Sequence, residues 1–303
     1  MNNIGCSVII PTYNRSRILE QVIPAICNQD YDLSFYEVIL VDDGSTDDTE
    51  KLIGRLYIPG AFTYIKLDKK GSARARNEGI RRAKGEIIIF IDSDLLVIPS
   101  FLKEHISFHK KFDKIIVRGA VIQTYDLENP FLTQKKITDI SKAYFATGNT
   151  SLRKEHLIKA GFFDEDFRDA NWEDLEFGVR LKKLGLKVVD NSLAKGYHYQ
   201  KKFTIDDFPA REEREKNRAA GAVLFYKKHP TFEVRLMIQN FNFFFLFGRS
   251  FFYLKFLLPP KEKIASFFIK KEEYFLLTIV INFYFFIKYL QFFEIENRKS
   301  KNE

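Results

Sequence analysis

Residues 86–100, "EIIIFIDSDLLVIPS", decide how the rest of the chain is read. Ile87, Ile88, Ile89, Phe90 and Ile91 form a continuous apolar run, the pattern of a strand covered on both faces. Asp92 and Asp94 follow, one residue apart. In extended backbone, residues i and i+2 point the same way, so both carboxylates can converge just past the strand's carboxyl end. Open α/β sheets place their ligands there. Two oxygen-rich groups aimed at one point suit Mg2+ or Mn2+ carrying a phosphate. Asp and Ser are also ordinary turn formers, and "DSD" alone reads more simply as a polar turn. Its place after an uninterrupted apolar strand shifts the balance toward a ligand site.

Outward from this strand the same pattern repeats. Residues 7–14, "SVIIPTYN", are a short apolar strand stopped at Pro11. Asn14 or Ser16 can cap a helix in which Ile18, Leu19, Val22, Ile23 and Ile26 recur at helical spacing. Residues 37–49, "EVILVDDGSTDDT", are a second buried strand ending in Asp42, Asp43 and Gly44, with a helix expected from Ser45 or Thr46. Residues 62–68 are a third strand, and residues 71–86, "GSARARNEGIRRAKGE", a helix closed by Gly85. Strands alternating with helices predict a largely parallel, doubly wound sheet. Downstream, residues 114–124 are a strand and residues 126–139 a connecting loop with one short helix. Residues 145–167 read as strand, helix from Lys154 and acidic turn. Residues 171–185, "NWEDLEFGVRLKKLG", are an amphipathic helix stopped by Gly185. "KVVDN" is a last short strand, followed by "GYHYQ" and a charged helix that turns apolar near Ala219.

The chain has 303 residues, enough for one large or two small domains. Its apolar share of 46% supports a sizeable core, and a net charge of +8 points to an anionic partner. Nucleotide diphosphates and anionic lipid headgroups fit better than nucleic acid, for which no motif is present. Cys6 and Cys27 form no C-x-x-C pair, which argues against a metal or disulfide framework and fits a reducing, cytosolic setting. The start of the sequence has no basic leader and too short an apolar run for a signal peptide, so the catalytic part is expected to stay inside the cell.

Six motifs in order, "SVIIPTYNR", "VDDGSTDDT", "GSARARNEGI", "IDSD", "GNTSLRKEHLIKAGFFDEDF" and "WEDLEFGVRL", resemble the nucleotide-sugar glycosyltransferases of family 2, which have the GT-A fold. The resemblance covers roughly residues 5–228, a domain-sized span. It implies an α/β, Rossmann-like catalytic domain over residues 1–228. Residues 1–98 would form its nucleotide-sugar half and 99–228 its acceptor half, with an aromatic-rich helical tail over 229–303. It implies that Pro11, Tyr13 and Asp43 line the base and ribose pocket, with Arg76 on the same donor side. Asp92 would touch ribose and metal, and Asp94 would be the main ligand of Mn2+ or Mg2+. Gly148 and Asn149 would lie beside the sugar. Glu173 and Asp174 would face the acceptor, with Asp174 the catalytic base. His198 would complete the metal site, although a His between two Tyr also reads as a packed or exposed residue. The second Gly of the family's G-G-F-D-E is Phe162 here. The Q-x-x-R-W motif of processive synthases is absent, so a non-processive enzyme is expected.

The implied reaction displaces a nucleoside diphosphate, most commonly UDP, from a sugar by a hydroxyl of a glycan or lipid-linked acceptor. The leaving group needs a cation and the hydroxyl needs a base. One base and no enzyme nucleophile means single displacement with inversion. Acidic residues also complement the dipole of a first helical turn, which accounts for Asp174 equally well. Trp172, a plausible sugar-stacking surface, favours catalysis. Arg76 reads as a solvated helix residue without the resemblance, and Asp42 as a cap of the next helix. His105, His109, His156 and His229 show no ligand spacing and read as structural. A non-catalytic nucleotide- or glycan-binding scaffold of the same fold is the rival, and the retained D-x-D with Glu173 and Asp174 argues against it.

The sequence carries 32 Phe, many of them after residue 231. Residues 241–260 include Arg249 and Lys255. Lys261, Lys263, Lys270 and Lys271 precede a second apolar run broken by Asn282 and ended by Lys288. A span needs about 20 apolar residues, and aromatics beside Lys and Arg fit helices lying in a membrane interface. Interfacial contact is therefore expected ahead of packing on the catalytic domain, and spanning third. A peripheral position on the cytosolic face of a membrane follows.

Overall fold

The computed structural model describes residues 5–136, 139–168, 172–241, 263, 265–267 and 274–302. They divide into two units. The first is residues 1–168 with 173–201; the second is residues 169–172 with 202–303.

The first unit is built on eight described strands in the order β3-β2-β1-β4-β7-β6-β8-β5. They are β1 (Cys6–Thr12), β2 (Tyr36–Asp42), β3 (Ala61–Lys66), β4 (Ile87–Ile91), β5 (Leu95–Val97), β6 (Ile115–Thr124), β7 (Asn149–Arg153) and β8 (Lys187–Tyr199). Strands β3, β2, β1 and β4 are all parallel, as strand–helix alternation requires. Beyond β4 the sheet is mixed: β7 runs antiparallel to both β4 and β6, and β5 antiparallel to β8. Helices α1 (Ser16–Cys27), α2 (Thr49–Arg55), α3 (Ser72–Arg82), α4 (Phe101–His109), α5 (Lys154–Ala160) and α6 (Glu173–Lys183) flank it.

Alternation along the strands makes two cores. Val8, Ile10, Val38, Leu40, Ile89 and Ile91 pack under Leu19, Ile23 and Ile26 of α1. Ile9, Ile39, Val41, Ile88 and Phe90 pack on the other face with Ala75 and Ile80 of α3 and Phe177 of α6. Every residue of β4 is buried, so its register is strongly specified, and Asp92 and Asp94 emerge at a fixed point.

The structure corrects several local expectations. Neither Asn14 nor Ser16 caps α1; Asp47 Oδ2, from the loop after β2, accepts the Ser16 N–H. Asn14 Oδ1 instead accepts the N–H groups of Thr46 and Asp47, tying the loops after β1 and β2 together. Helix α2 starts at Thr49, later than expected, because residues 43–48 form a turn. Asp42 supports that turn rather than capping α2: it accepts from the Ser45 N–H and the Tyr64 hydroxyl. "KVVDN" and "GYHYQ" belong to one strand, β8. Gly119 of β6 pairs with Asn191, but Ala120 pairs with Lys195 rather than Ser192, a three-residue bulge that hides the strand's continuity.

In the second unit, α7 (Phe208–Lys228) and α9 (Tyr274–Asn302) pack around a core of Phe208, Leu277, Ile281 and Phe285, and α8 (Phe232–Met237) follows α7 in the chain. Lys288 of α9 pairs with Glu212 of α7 at 2.6 Å, and the Tyr289 hydroxyl donates to the Ile238 carbonyl. By length and composition Leu277–Ser300 meets the requirement for a membrane span, yet a third of its apolar window is buried inside the protein. One face of α9 is thus a protein-packing face, while Ile279 and Phe283 are exposed. Arg249, Lys255, Lys261, Lys270 and Lys271, read above as interfacial, lie outside the described residues; Lys263 lies within a helix.

Candidate active site

The carboxyl ends of β1, β2 and β4 carry the site. Asp92 leaves β4 where its N–H meets the Gly148 carbonyl, 3.4 Å away. A Cβ at Gly148 would meet Asp92 Oδ2 at 2.9 Å, so glycine there lets the loop before β7 close on the carboxylate. Leu95 of β5 pairs with His198 of β8, and Tyr199 N–H donates to the Asp94 carbonyl. This pairing brings His198 Nε2 within 3.0 Å of Asp94 Oδ1. Ligand atoms of Asp92, Asp94 and His198 all lie within 4.8 Å of one another. Two carboxylates and an imidazole fit a divalent cation.

Arg76 of α3 is buried between acids. It reaches Asp92 at 3.6 Å and Glu173 at 2.9 Å. Its Nε is buried without a hydrogen-bond partner among the described residues. Burial raises the pKa of Asp92, and Arg76 opposes this without cancelling it. Burial also works against Asp94, but the hydrogen bond and charge of His198, with Arg15 nearby, hold it below the ordinary carboxylate range. His198 is raised: burial would lower it, and its bond to Asp94 wins. Burial, with the like charge of Glu173, pushes Asp174 up to about 7.

The other expected residues are placed as follows. Tyr13 is exposed after β1, with Lys69 Nζ 4.1 Å from its ring centroid, and Pro11 lies within β1 beside β2. Asp43 accepts from the N–H groups of Lys70 and Gly71, so it orders the loop before α3. Gly71 must be glycine, since its φ is 101° and a Cβ would sit 2.3 Å from the Arg168 carbonyl oxygen. Glu173 Oε1 accepts from Ser72 at 2.7 Å as well as from Arg76.

Two expected residues have their polar groups engaged inside the fold. Asn149, expected beside the sugar, holds its amide within the sheet. Its Nδ2 donates to the carbonyls of Ala120 and Ala194, and its Oδ1 lies 2.8 Å from His105 Nε2. It ties Ala120 of β6 to Ala194 inside the β8 bulge. Trp172, expected as a stacking surface, is covered. It is 4% exposed in the second unit, packed on Phe225, with its indole N–H donating to the Arg218 carbonyl. His105 and His109 are structural as read, both bonded to Ser151, and burial lowers them to about 4 and about 3.

Arg15 was missed. Its guanidinium is 3.4 Å from Asp94 Oδ2. The available signal was a basic residue just past β1, the strand beside β4. Phe162, where the family has glycine, takes a left-handed φ of 62° with Arg81 over its ring. Such a φ is uncommon for a bulky residue.

Comparison with known proteins accords with this geometry. The model of "Glycosyl transferase family 2" matches residues 7–169. The chain belongs to glycosyl transferase family 2. Chondroitin synthase of Pasteurella multocida is 28% identical over 270 residues, covering 74% of this chain and 27% of that protein. The dolichol-phosphate mannosyltransferase of Pyrococcus furiosus is 30% identical over 229 residues, covering 74% and 62%. The chain thus spans less than two thirds of the length of these relatives. A solved mannosyltransferase from Pyrobaculum calidifontis, in complex with GDP-Man and Mn2+, superposes with a TM-score of 0.63 over 98% of this chain and 87% of that one, at 19% identity. TarS residues 1–349 of S. aureus with UDP-GlcNAc give 0.54 over 98% and 92%, at 18% identity. The family 2 domain of this chain has the GT-A fold, and it is a glycosyltransferase domain.

Proposed function

We propose that the protein is an inverting, metal-dependent glycosyltransferase that uses a nucleoside diphosphate sugar. The observation that carries this is the convergence of Asp92, Asp94 and His198, with Arg76 bridging from Asp92 to the Glu173–Asp174 pair. Solved structures of the same fold hold UDP-GlcNAc in one case and GDP-Man with Mn2+ in another, which supports a nucleotide-sugar donor here.

A divalent cation held by Asp92, Asp94 and His198 would neutralise charge on the departing diphosphate. Asp43 orders the 69–71 loop, and Tyr13 with Lys69 flanks the base pocket. Glu173, engaged by Ser72 and Arg76, aims the guanidinium toward the donor side. Asp174 takes the proton of the acceptor hydroxyl. The acceptor's hydroxyl oxygen forms a bond to the anomeric carbon while the bond from that carbon to the diphosphate oxygen breaks. The diphosphate leaves with the electron pair. A base of pKa near neutrality suits this step.

The acceptor is a glycan or lipid-linked hydroxyl, in non-processive, cell-surface polysaccharide synthesis on the cytosolic side of a membrane. The polysaccharide-building relatives support the first part. The exposed Ile279 and Phe283 of α9, with a net charge of +8, support a peripheral membrane contact.

Calorimetric titration of UDP, dTDP and GDP, with and without Mn2+, tests the donor reading in wild type and Asp94→Ala. Metal-dependent binding of one nucleotide, lost in the variant, is the expected result. Failure of all three to bind in detergent-free and lipid-supplemented buffer would replace the enzyme with a scaffold of the same fold.

A further inference from the structure

His198 stands between two acceptors. Its Nε2 is 3.0 Å from Asp94 Oδ1, and its Nδ1 is 3.1 Å from Gln123 Oε1. Gln123 is on β6, level with His198 on β8. That pairing exists only because of the bulge. With unbroken register from the Gly119–Asn191 pair, Gln123 would face Lys195 instead. Asn149 and His105 lock the bulge, so a buried network delivers Gln123 to this imidazole.

A neutral imidazole carries one N–H, and only the other nitrogen can ligate a cation. With the proton on Nε2, the ring donates to Asp94 and cannot join a metal. With the proton on Nδ1, it donates to Gln123 and offers its Nε2 lone pair. Asp94, a charged acceptor, pulls the proton to the wrong side, so something must hold it on the other. We infer that Gln123 is a positioning residue: it accepts the Nδ1–H of His198 and thereby presents Nε2 to a divalent cation shared with Asp92 and Asp94. This rests on the metal reading above. Hydrogen-bond partners of metal-bound His typically matter by about 10- to 100-fold in affinity.

The test is Mn2+ alone, titrated by electron paramagnetic resonance into wild type, Asp94→Ala, Gln123→Leu and Gln123→Glu. Gln123→Leu should bind about tenfold or more weakly, Gln123→Glu should restore affinity, and Gln123→Leu should add no loss in a His198→Ala background. Gln123 is exposed, so the melting temperature of the Leu variant should match wild type. Nitrogen-15 spectra of the metal-free protein give a readout independent of activity: neutral His198 should move from the Nδ1–H toward the Nε2–H form in Gln123→Leu. Wild-type affinity in Gln123→Leu, an equal loss without His198, or an unchanged tautomer overturns the inference. Failure of wild type to bind Mn2+, or full affinity in Asp94→Ala, removes the metal reading itself and this inference with it.

Discussion

At the residue scale, Asp174 is the side chain whose environment does most to define its chemistry. Burial and Glu173 raise its pKa from the ordinary 3.8 to about 7. In the proposed role of base it must be ionised, so turnover should rise about tenfold per pH unit below 7 and level off above it. Asp174→Asn should lower kcat by about 10²- to 10⁴-fold, erase that limb and leave nucleotide binding intact. The stability sign is opposite. Between pH 3.8 and about 7 the folded protein holds a proton that the unfolded chain has released, so this group's contribution to stability falls as pH rises through that window. Thermal melts should therefore find Asp174→Asn more stable than wild type at pH 8, with the gap closing near pH 4. A variant less stable at pH 8 would contradict the assignment of burial as the cause.

At the element scale, the β8 bulge is the feature on which the site depends. Asn149 meets two strand carbonyls and His105, and it is 3% exposed. Asn149→Ala leaves these groups unsatisfied and should cost about 2–4 kcal/mol. Denaturant unfolding measures that loss. The same variant should weaken Mn2+ binding, since β8 carries His198. A fully stable Asn149→Ala protein with normal Mn2+ affinity would mean that β8 keeps its register without the amide. This element was poorly legible in sequence: β4 was read correctly because its apolar run is unbroken, whereas β8 was split because the bulge interrupts its alternation. The role of Asn149 in holding the bulge is hidden for a related reason. The motif shows which residue is present, and only the packed strands show what its amide meets.

At the scale of the whole molecule, α9 has one face committed to α7 and another that exposes Ile279. Flotation with anionic vesicles tests the membrane contact. Wild type should float with the lipid, and Ile279→Glu should not, while melting unchanged because Ile279 is half exposed. Equal flotation of the two proteins would assign the tail to protein packing alone.

Local pattern by itself determined the α/β class, the parallel first half of the sheet and the pairing of Asp92 with Asp94. Those follow from alternation and from a strand too apolar to lie anywhere but the centre. The order of motifs determined the family. Tertiary structure alone decided that β7 inserts antiparallel beside β4 and that Trp172 is core in the second unit. It also decided that Asp43 and Asn149 are held by backbone partners, that Arg15 lies beside Asp94 and that Gln123 bonds His198. These are contacts between residues distant in sequence. Their partners depend on strand order and register, which the buried surfaces of the whole sheet select together.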